Sequence, residues 1–173
     1  MEAGLDTGPV FAQAAFPIAH GMTGGELHDA LAQLGALTLQ ATLPELLVGR
    51  RSPEPQDAAL ATYAAKLGKS DLELDWTRPA LDLERQVLAF NPYPIAQTRM
   101  EEYVLRIWRA VAEEAAVTAP PGTVLSEDSS GIRVATGSGV LRLTEVQLPG
   151  GKPLPVAAFL NARQLSGRRL GTA

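Results

Sequence analysis

The amino-acid sequence predicts an α+β protein made of the tail of an α/β unit followed by a small open β-barrel with flanking helices. Three observations support this fold class. Apolar residues recur at helical spacing between residues 27 and 41, and they alternate with a period of two after residue 102, where glycine-containing turns interrupt them. A single short strand pattern precedes the first helix, and one strand without a sheet to join is typical of the middle of an α/β unit.

The composition is that of a soluble globular protein. Of the 173 residues, 46% are hydrophobic and 20% are charged, and none is cysteine. Without cysteine there can be no disulfide, thiolate metal site or cysteine nucleophile. No apolar run approaches the ~20 residues that a membrane-spanning helix requires. The first six residues include two acids and do not resemble a secretory signal, so we expect a cytoplasmic protein.

Proline and charge mark a boundary in the chain. Residues 50–75 are rich in both and have weak periodicity, which indicates an interdomain linker. We expect residues 1–49 to be the C-terminal remnant of an α/β domain, with a strand at residues 10–13. Residues 76–173 are expected to form the β-barrel domain.

The first helix has a clear start and a clear end. Thr23 and Glu26 match a capping box, in which each side chain can bond to the other residue's backbone N–H. Pro44 is expected to kink or end the helix, and Gly49 closes the segment. The helix carries an apolar stripe that needs a surface to cover, and the stripe consists of Leu27, Ala30, Leu31, Leu34, Leu37 and Ala41.

A second helix is predicted over residues 79–90. Thr77 is its expected cap, Pro79 lies in the tolerant first turn, and the proline-rich sequence at residues 91–94 stops it. About five short strands follow, with alternating patterns around residues 103–108, 132–135 and 141–144. A closing helix is predicted over residues 156–165.

Charge divides the sequence into two halves that face different partners. Residues 1–76 hold four Lys/Arg and ten Asp/Glu, whereas residues 77–173 hold eleven and nine. Strand alternation places Arg106 with Arg142, and Arg133 with them, on one side of the barrel. Such a row could hold an RNA backbone without reading its sequence. The alternative is that these arginines only keep the outer face of the barrel solvated.

Three other motifs are weak. Asp6-Thr7-Gly8 matches the aspartic-protease triplet, but Pro9 follows it where those enzymes have a small residue, so a turn is the better interpretation. His20 and His28 do not have the spacing of metal ligands. Gly137-Ser138-Gly139 lies between two strand patterns and predicts a hairpin turn rather than a phosphate loop.

Three large aromatic residues allow two interpretations. Trp76, Tyr93 and Trp108 could be stacking platforms for nucleic-acid bases or core anchors. Because the aromatic content is only 5%, we expect them to be core anchors.

The chain resembles methionyl-tRNA formyltransferase over nearly its whole length. The order and spacing of several blocks carry the resemblance: Ala3-Gly4-Leu5-Asp6-Thr7-Gly8-Pro9, Ala61-Thr62-Tyr63-Ala64-Ala65-Lys66-Leu67, Leu74-Asp75-Trp76, Ala89-Phe90-Asn91-Pro92-Tyr93-Pro94-Ile95-Ala96, Gly131-Ile132-Arg133-Val134-Ala135-Thr136-Gly137-Ser138-Gly139 and Phe159-Leu160-Asn161-Ala162-Arg163. The resemblance implies a Rossmann-like catalytic domain, of which residues 1–49 are the tail, and an oligonucleotide-binding-like barrel.

The resemblance also implies a reaction. Members of the family transfer a formyl group from 10-formyltetrahydrofolate to the methionine amino group of initiator tRNA, using an Asn, His and Asp trio. Asp6 falls on the aspartate of this trio, and Lys66 lies in the interdomain segment that the family uses against tRNA. The Asn and His partners, the folate cleft and most of the sheet would precede this chain. We therefore expect a fragment that binds tRNA as a monomer, holds no metal or folate, and is inactive alone.

Two alternatives remain. The first is a fragment of a nucleotide-sugar or other folate-dependent formyltransferase, whose barrel needs no tRNA surface. The second is a stand-alone RNA-binding barrel. In that case residues 77–173 alone should fold and bind RNA with an affinity that depends on salt.

Overall fold

The computed structural model describes residues 4–171, and its chain forms two compact units. The first unit contains the residues up to His20 together with residues 26–66. The second contains residues 21–25 and the residues from Leu67 onward.

One long helix, α1 (Gly24–Leu47), dominates the first unit. Two threonine hydroxyls donate hydrogen bonds back to carbonyl oxygens one turn earlier, Thr38 to Leu34 at 2.7 Å and Thr42 to Thr38 at 2.6 Å. Pro44 does not end α1, because the helix continues to Leu47, and the alternative that it kinks the helix stays a prediction. Proline lacks the N–H of one intrahelical hydrogen bond, yet the residues that follow Pro44 remain helical.

The end of α1 follows the prediction for Gly49. This residue has a φ of +66°, a region that glycine enters without steric cost. Its N–H donates to the Leu46 carbonyl, and the Arg50 N–H donates to the Glu45 carbonyl at 2.9 Å. These bonds satisfy carbonyl groups that the helix end leaves open.

The predicted strand at residues 10–13 is wrong in its extent. Only Val10 pairs, through two hydrogen bonds of 2.8 Å with the backbone of Glu54. Side chains make the remaining contacts of this segment, with Arg51 donating to the Phe11 carbonyl and Gln56 donating to the carbonyls of Asp6 and Gly8. Two short 3-10 helices follow along the chain. Ala58–Leu60 belongs to the first unit and Lys69–Leu72 to the second.

The second unit begins with α2 (Ala80–Ala89), which packs against the sheet. Its buried side is formed by Ala80, Leu83, Glu84 and Val87. Pro79 occupies the cap position, so the prediction that Thr77 caps the helix is wrong. Thr77 instead donates its backbone N–H and its hydroxyl to the carboxylate of Asp75, at 3.0 and 2.6 Å.

The sheet of the second unit has six strands, and all their pairings are antiparallel. Its main path runs in the order β1-β2-β5-β4-β3, and β6 pairs with β5 away from that path. β2 is irregular between Ile107 and Ala110, where its register against β5 shifts. The strands are β1 (Ala96–Met100), β2 (Tyr103–Glu113), β3 (Val124–Asp128), β4 (Gly131–Ala135), β5 (Val140–Gln147) and β6 (Leu154–Pro155).

Apolar side chains from α2 and from the inner side of the sheet form the core. Trp76 lies within it, and its indole N–H donates to the Thr98 hydroxyl at 2.9 Å, so two buried polar groups satisfy each other. The largest fully buried side chains include Leu83, Leu105, Ile107, Ile132, Leu141 and Leu143.

Two further predictions concern the turn between β4 and β5 and the closing helix. The turn predicted at residues 137–139 is confirmed, because it joins β4 to β5. The closing helix is shorter than predicted: α3 covers only Val156–Phe159, and a 3-10 turn, Leu160–Ala162, follows it.

The α+β class is confirmed as a small antiparallel sheet with flanking helices. Within residues 4–171, edge strands β1 and β3 do not pair with each other, so the sheet is not closed. The Rossmann-like tail and the oligonucleotide-binding-like barrel stay predictions.

Candidate functional site

The sheet of the second unit presents a polar outer face. Along β2, Leu105 and Ile107 are buried while Arg106, between them, is exposed. Strand register places Gln97 of β1 on one side of Arg106 and Gln147 of β5 on the other. Within the described part of the chain, the Arg106 guanidinium has no hydrogen-bond or ion-pair partner. A cation in this position is available to an external anion.

Arg133 and Arg142 lie on the same face but in a different environment. They oppose each other on β4 and β5, and both donate from Nε to the carboxylate of Glu113, at 2.8 and 2.6 Å. Arg142 also donates from Nη1 to the Ser130 carbonyl at 3.1 Å. This cluster, the Glu113 triad, carries two positive charges and one negative charge, so its net charge is smaller than the two arginines suggest.

The electrostatics of Glu113 follow from these contacts. Partial burial raises the pKa of its carboxyl, but the hydrogen bonds and charges of Arg142 and Arg133 outweigh that effect and hold the pKa below its ordinary value. Glu113 is therefore ionised near neutral pH. No local sequence pattern points to Glu113, because its partners lie 20 and 29 positions further along the chain.

Two other arginines lie on this outer face. Arg109 forms an ion pair with Glu145, with 3.5 Å between Nε and Oε2. Arg99 is exposed on β1, opposite Val104 of β2. Arg99 was not selected from the sequence because β1 lacks an apolar alternation and was not predicted as a strand.

Asp6 lies in the first unit, at the mouth of an acidic cavity. The residue is exposed, has a φ of +53°, and borders a cavity of about 370 Å³. Glu54 and Asp57 also line this cavity, and no basic residue does. A folate carries carboxylates on its glutamate tail, which need cationic partners. The described residues around Asp6 therefore do not fit the donor by themselves.

Lys66 is exposed at the end of the first unit. The residues on both sides of it, 61–68, are in neither helix nor strand. Within the described part of the chain its ammonium group has no hydrogen-bond or ion-pair partner, so it too is available to an anion.

The three aromatic residues differ in exposure. Trp76 is a core anchor, with 4% of its surface exposed, as predicted. Trp108 is half-buried, and its indole N–H donates to the Gln147 side chain at 2.8 Å. Tyr93 is 86% exposed, so the prediction of a core anchor is wrong for this residue.

Residues 4–171 contain neither a metal-binding group nor a membrane-spanning helix. They contain no group of three or more His, Asp or Glu side chains that could hold a metal ion. None of their helices is both long enough and apolar enough to cross a membrane.

Relatives of this chain share close to half of its residues. A methionyl-tRNA formyltransferase of Pseudomonas savastanoi pv. phaseolicola is 49% identical over 95% of this chain. The corresponding enzymes of Nitrosococcus oceani and Pseudomonas paraeruginosa are 48% and 47% identical over 96% and 95% of it. The chain spans about half the length of these relatives, 52% in each case.

Solved structures share the fold. HypX from Aquifex aeolicus, in one variant, matches 93% of this chain with a TM-score of 0.67 and 19% identity, and the match covers 30% of HypX. HypX in complex with tetrahydrofolic acid matches 92% of the chain with a TM-score of 0.66 and 20% identity, over 28% of that protein. At this identity the likeness concerns the fold alone.

A family model described as "Formyl transferase, C-terminal domain" matches residues 66–164. The match includes α2, all six strands and α3. Because it accounts for more than half of the 173 residues, the chain belongs to the formyl transferase C-terminal domain family.

Proposed function

We propose that this chain is the tRNA-facing part of a methionyl-tRNA formyltransferase. That enzyme transfers a formyl group from 10-formyltetrahydrofolate to the methionine amino group of initiator tRNA in the cytoplasm. One observation carries the proposal: relatives of this name are 47–49% identical over at least 95% of the chain. Residues 1–49, 50–75 and 76–173 are proposed as catalytic-domain remnant, linker and tRNA-binding domain.

The residues proposed to contact tRNA are Lys66 in the first unit and Arg106, Arg133 and Arg142 in the second. Arg106 and Lys66 are the leading members, because each exposes a cation that has no hydrogen-bond or ion-pair partner within residues 4–171. Arg133 and Arg142 are secondary, since the Glu113 carboxylate competes with phosphate for both guanidinium groups. Contacts of this kind fix an RNA backbone in place without reading its bases.

Asp6 is proposed as the aspartate of the catalytic trio. An ionised carboxylate at this position would orient a neighbouring histidine and favour its charged form. A single carboxylate does not supply the oxyanion donor or the base, so we propose that the 173 residues alone do not catalyse formyl transfer. The acidic lining of the cavity beside Asp6 also disfavours folate binding by these residues alone.

The exposed apolar side of α1 supports the proposal that residues 1–49 are part of a larger catalytic domain. Only Thr42 is buried in its 24 residues, while Leu31, Leu37 and Leu39 are 47–63% exposed. A groove of about 480 Å³ runs along it, lined mainly by apolar side chains such as Leu34 and Leu46. We propose that this groove receives the half of the enzyme that the relatives have and this chain does not span.

A binding experiment tests the proposal. The purified chain is titrated with initiator tRNA at about 50 and 200 mM salt, and a formylation assay with 10-formyltetrahydrofolate runs beside it. We expect binding that weakens strongly at the higher salt, and no formylation. Absence of tRNA binding at both salts would overturn the tRNA-facing role, and turnover by the chain alone would overturn the proposed inactivity.

The second candidate function is RNA binding without catalysis. It is favoured by the apolar core, which lies entirely in the second unit. The discriminating experiment adds the separately expressed N-terminal half of the Pseudomonas savastanoi relative. Recovered formylation supports the enzyme fragment, and a failure to recover it with tRNA binding intact supports the stand-alone RNA-binding protein.

A further inference from the structure

Tyr93 is an exposed aromatic residue that is not among the proposed tRNA-binding residues. Phe90, three positions earlier, packs against the core, and Ile95, two positions later, is only 4% exposed, whereas Tyr93 is 86% exposed. An exposed ring leaves a large apolar surface in water, which is unfavourable for the isolated chain. Tyrosine is enriched at binding surfaces because it combines such a surface with a polar tip.

The turn that carries Tyr93 is held in place on several sides. The Asn91 side chain donates to the Trp108 carbonyl of β2 at 2.7 Å. The Ile95 N–H donates to the Phe90 carbonyl, and the Gly25 N–H donates to the Asn91 carbonyl, both at 2.9 Å. Proline on each side of Tyr93 restricts the backbone further. A ring on such a turn loses little conformational entropy when it binds a ligand.

The backbone of the turn is strained at Ile95. Ile95 is a β-branched residue with a φ of +72°, which is a genuine outlier for its type. Conformations of this kind persist only where surrounding contacts hold them, and they concentrate at functional sites.

The turn is joined to the cationic face of the sheet. Its anchor, Trp108, lies two positions after Arg106 on β2, and alternation puts both side chains on the same face. The Trp108 indole also bonds to Gln147, the register partner of Arg106 on β5. Proteins that bind single-stranded nucleic acids combine exposed rings with cations in this way, and Arg106 has no ion-pair partner within residues 4–171.

We propose that Tyr93 is a stacking platform for an unpaired nucleobase of the RNA whose phosphates contact Arg106. The ligand is of one chemical class, an unpaired base in a single-stranded segment or a loose end of RNA. This inference rests on the proposed RNA-binding function and deepens it. The two failures can be told apart, because stacking is nearly independent of salt whereas phosphate contacts are not.

The experiment measures RNA affinity of the full chain and three variants. The probes are initiator tRNA, a 12-nucleotide oligoadenylate and a 12-base-pair RNA duplex. Tyr93→Ala removes the ring, Tyr93→Phe keeps it, and Tyr103→Ala removes a different ring, which is 56% exposed at the start of β2. Melting temperatures of all proteins verify that each variant is folded.

We expect Tyr93→Ala to weaken binding of tRNA and of oligoadenylate about tenfold at every salt concentration, with an unchanged salt slope. Tyr93→Phe and Tyr103→Ala should bind as the unchanged chain does, and the duplex should bind Tyr93→Ala and the unchanged chain equally. Equal affinity of Tyr93→Ala for the single strand would overturn the stacking role while leaving the proposed function standing. A loss in Tyr93→Phe as large as in Tyr93→Ala would overturn it too, since the hydroxyl would then be the binding group. If the unchanged chain binds none of the three RNAs, both proposals are overturned.

Discussion

Arg133 and Arg142 lie directly opposite each other on β4 and β5, and they bind the two oxygens of a single carboxylate, that of Glu113. Two like charges in neighbouring positions of a sheet repel each other. The shared carboxylate converts this repulsion into a cross-link between three strands, because Glu113 belongs to β2 and its partners belong to β4 and β5.

Replacing Glu113 by glutamine should lower the stability of the second unit by about 1 kcal/mol at pH 7. The loss should depend on pH in a defined direction. The pKa of Glu113 in the folded chain lies below its ordinary value of 4.5, so the carboxylate stabilises the fold fully above pH 4.5, and this contribution fades as the pH falls through the folded-state value. Urea unfolding at several pH values measures this difference. Glu114→Gln, which removes a neighbouring exposed acid, is the matched control, and its unfolding free energy at pH 7 should equal that of the unchanged chain.

Arg106→Ala should weaken tRNA binding more than Arg133→Ala does. Removing Arg106 deletes a cation that has no ion-pair partner among residues 4–171, so the slope of log affinity against log salt should fall by about one. Removing Arg133 leaves Arg142 bound to Glu113 and should change the slope less. Fluorescence anisotropy with labelled tRNA at four salt concentrations gives both slopes, and equal changes in the two variants would contradict the ranking.

Gly137→Ala should destabilise the second unit by about 2–4 kcal/mol. A Cβ atom at this position would lie 1.7 Å from the carbonyl oxygen of Thr77, which is backbone and cannot rotate away. Gly35 in α1 provides the matched control, because a Cβ there meets no atom within 4 Å. Gly35→Ala should stabilise the helix by up to about 1 kcal/mol. Chemical unfolding of both variants tests the contrast.

Backbone amides of α1 should exchange with deuterium at least tenfold faster than those of β2 and β5. Only Thr42 of α1 is buried, whereas Leu105, Ile107, Leu141 and Leu143 are fully covered. Local opening follows the lack of buried apolar contact. Mass spectrometry of peptides from the two regions measures the rates. Equal protection would show that α1 is stabilised by contacts other than apolar burial.

The sequence predicts elements whose stabilising contacts are local or periodic. Alternating apolar residues reveal β2, β4 and β5, and the spacing of Leu83 and Val87 reveals α2. β1 escapes this reasoning because its central residue is the polar Thr98. That residue is fully buried only because Trp76, 22 positions earlier, donates to its hydroxyl.

Some features of the candidate site are likewise predictable from local patterns, whereas others depend on contacts between residues distant in the sequence. Period-two alternation was sufficient to place Arg106 and Arg142 on one face of the sheet. The neutralisation of Arg142 by Glu113 depends on strand order, since β5 lies between β2 and β4. Short-range patterns contain no information on that order. The exposure of Tyr93 likewise depends on a turn tied to β2 by Asn91.

The indole of Trp76, enclosed in the core and bonded to Thr98, gives the chain a built-in optical label. Both tryptophans of the sequence belong to the second unit, and most of α1 belongs to the first. Intrinsic tryptophan emission therefore reports on the second unit alone, whereas the helical circular-dichroism band is dominated by α1. Recording the two signals in one titration would separate the unfolding of the two units without any added dye or substitution.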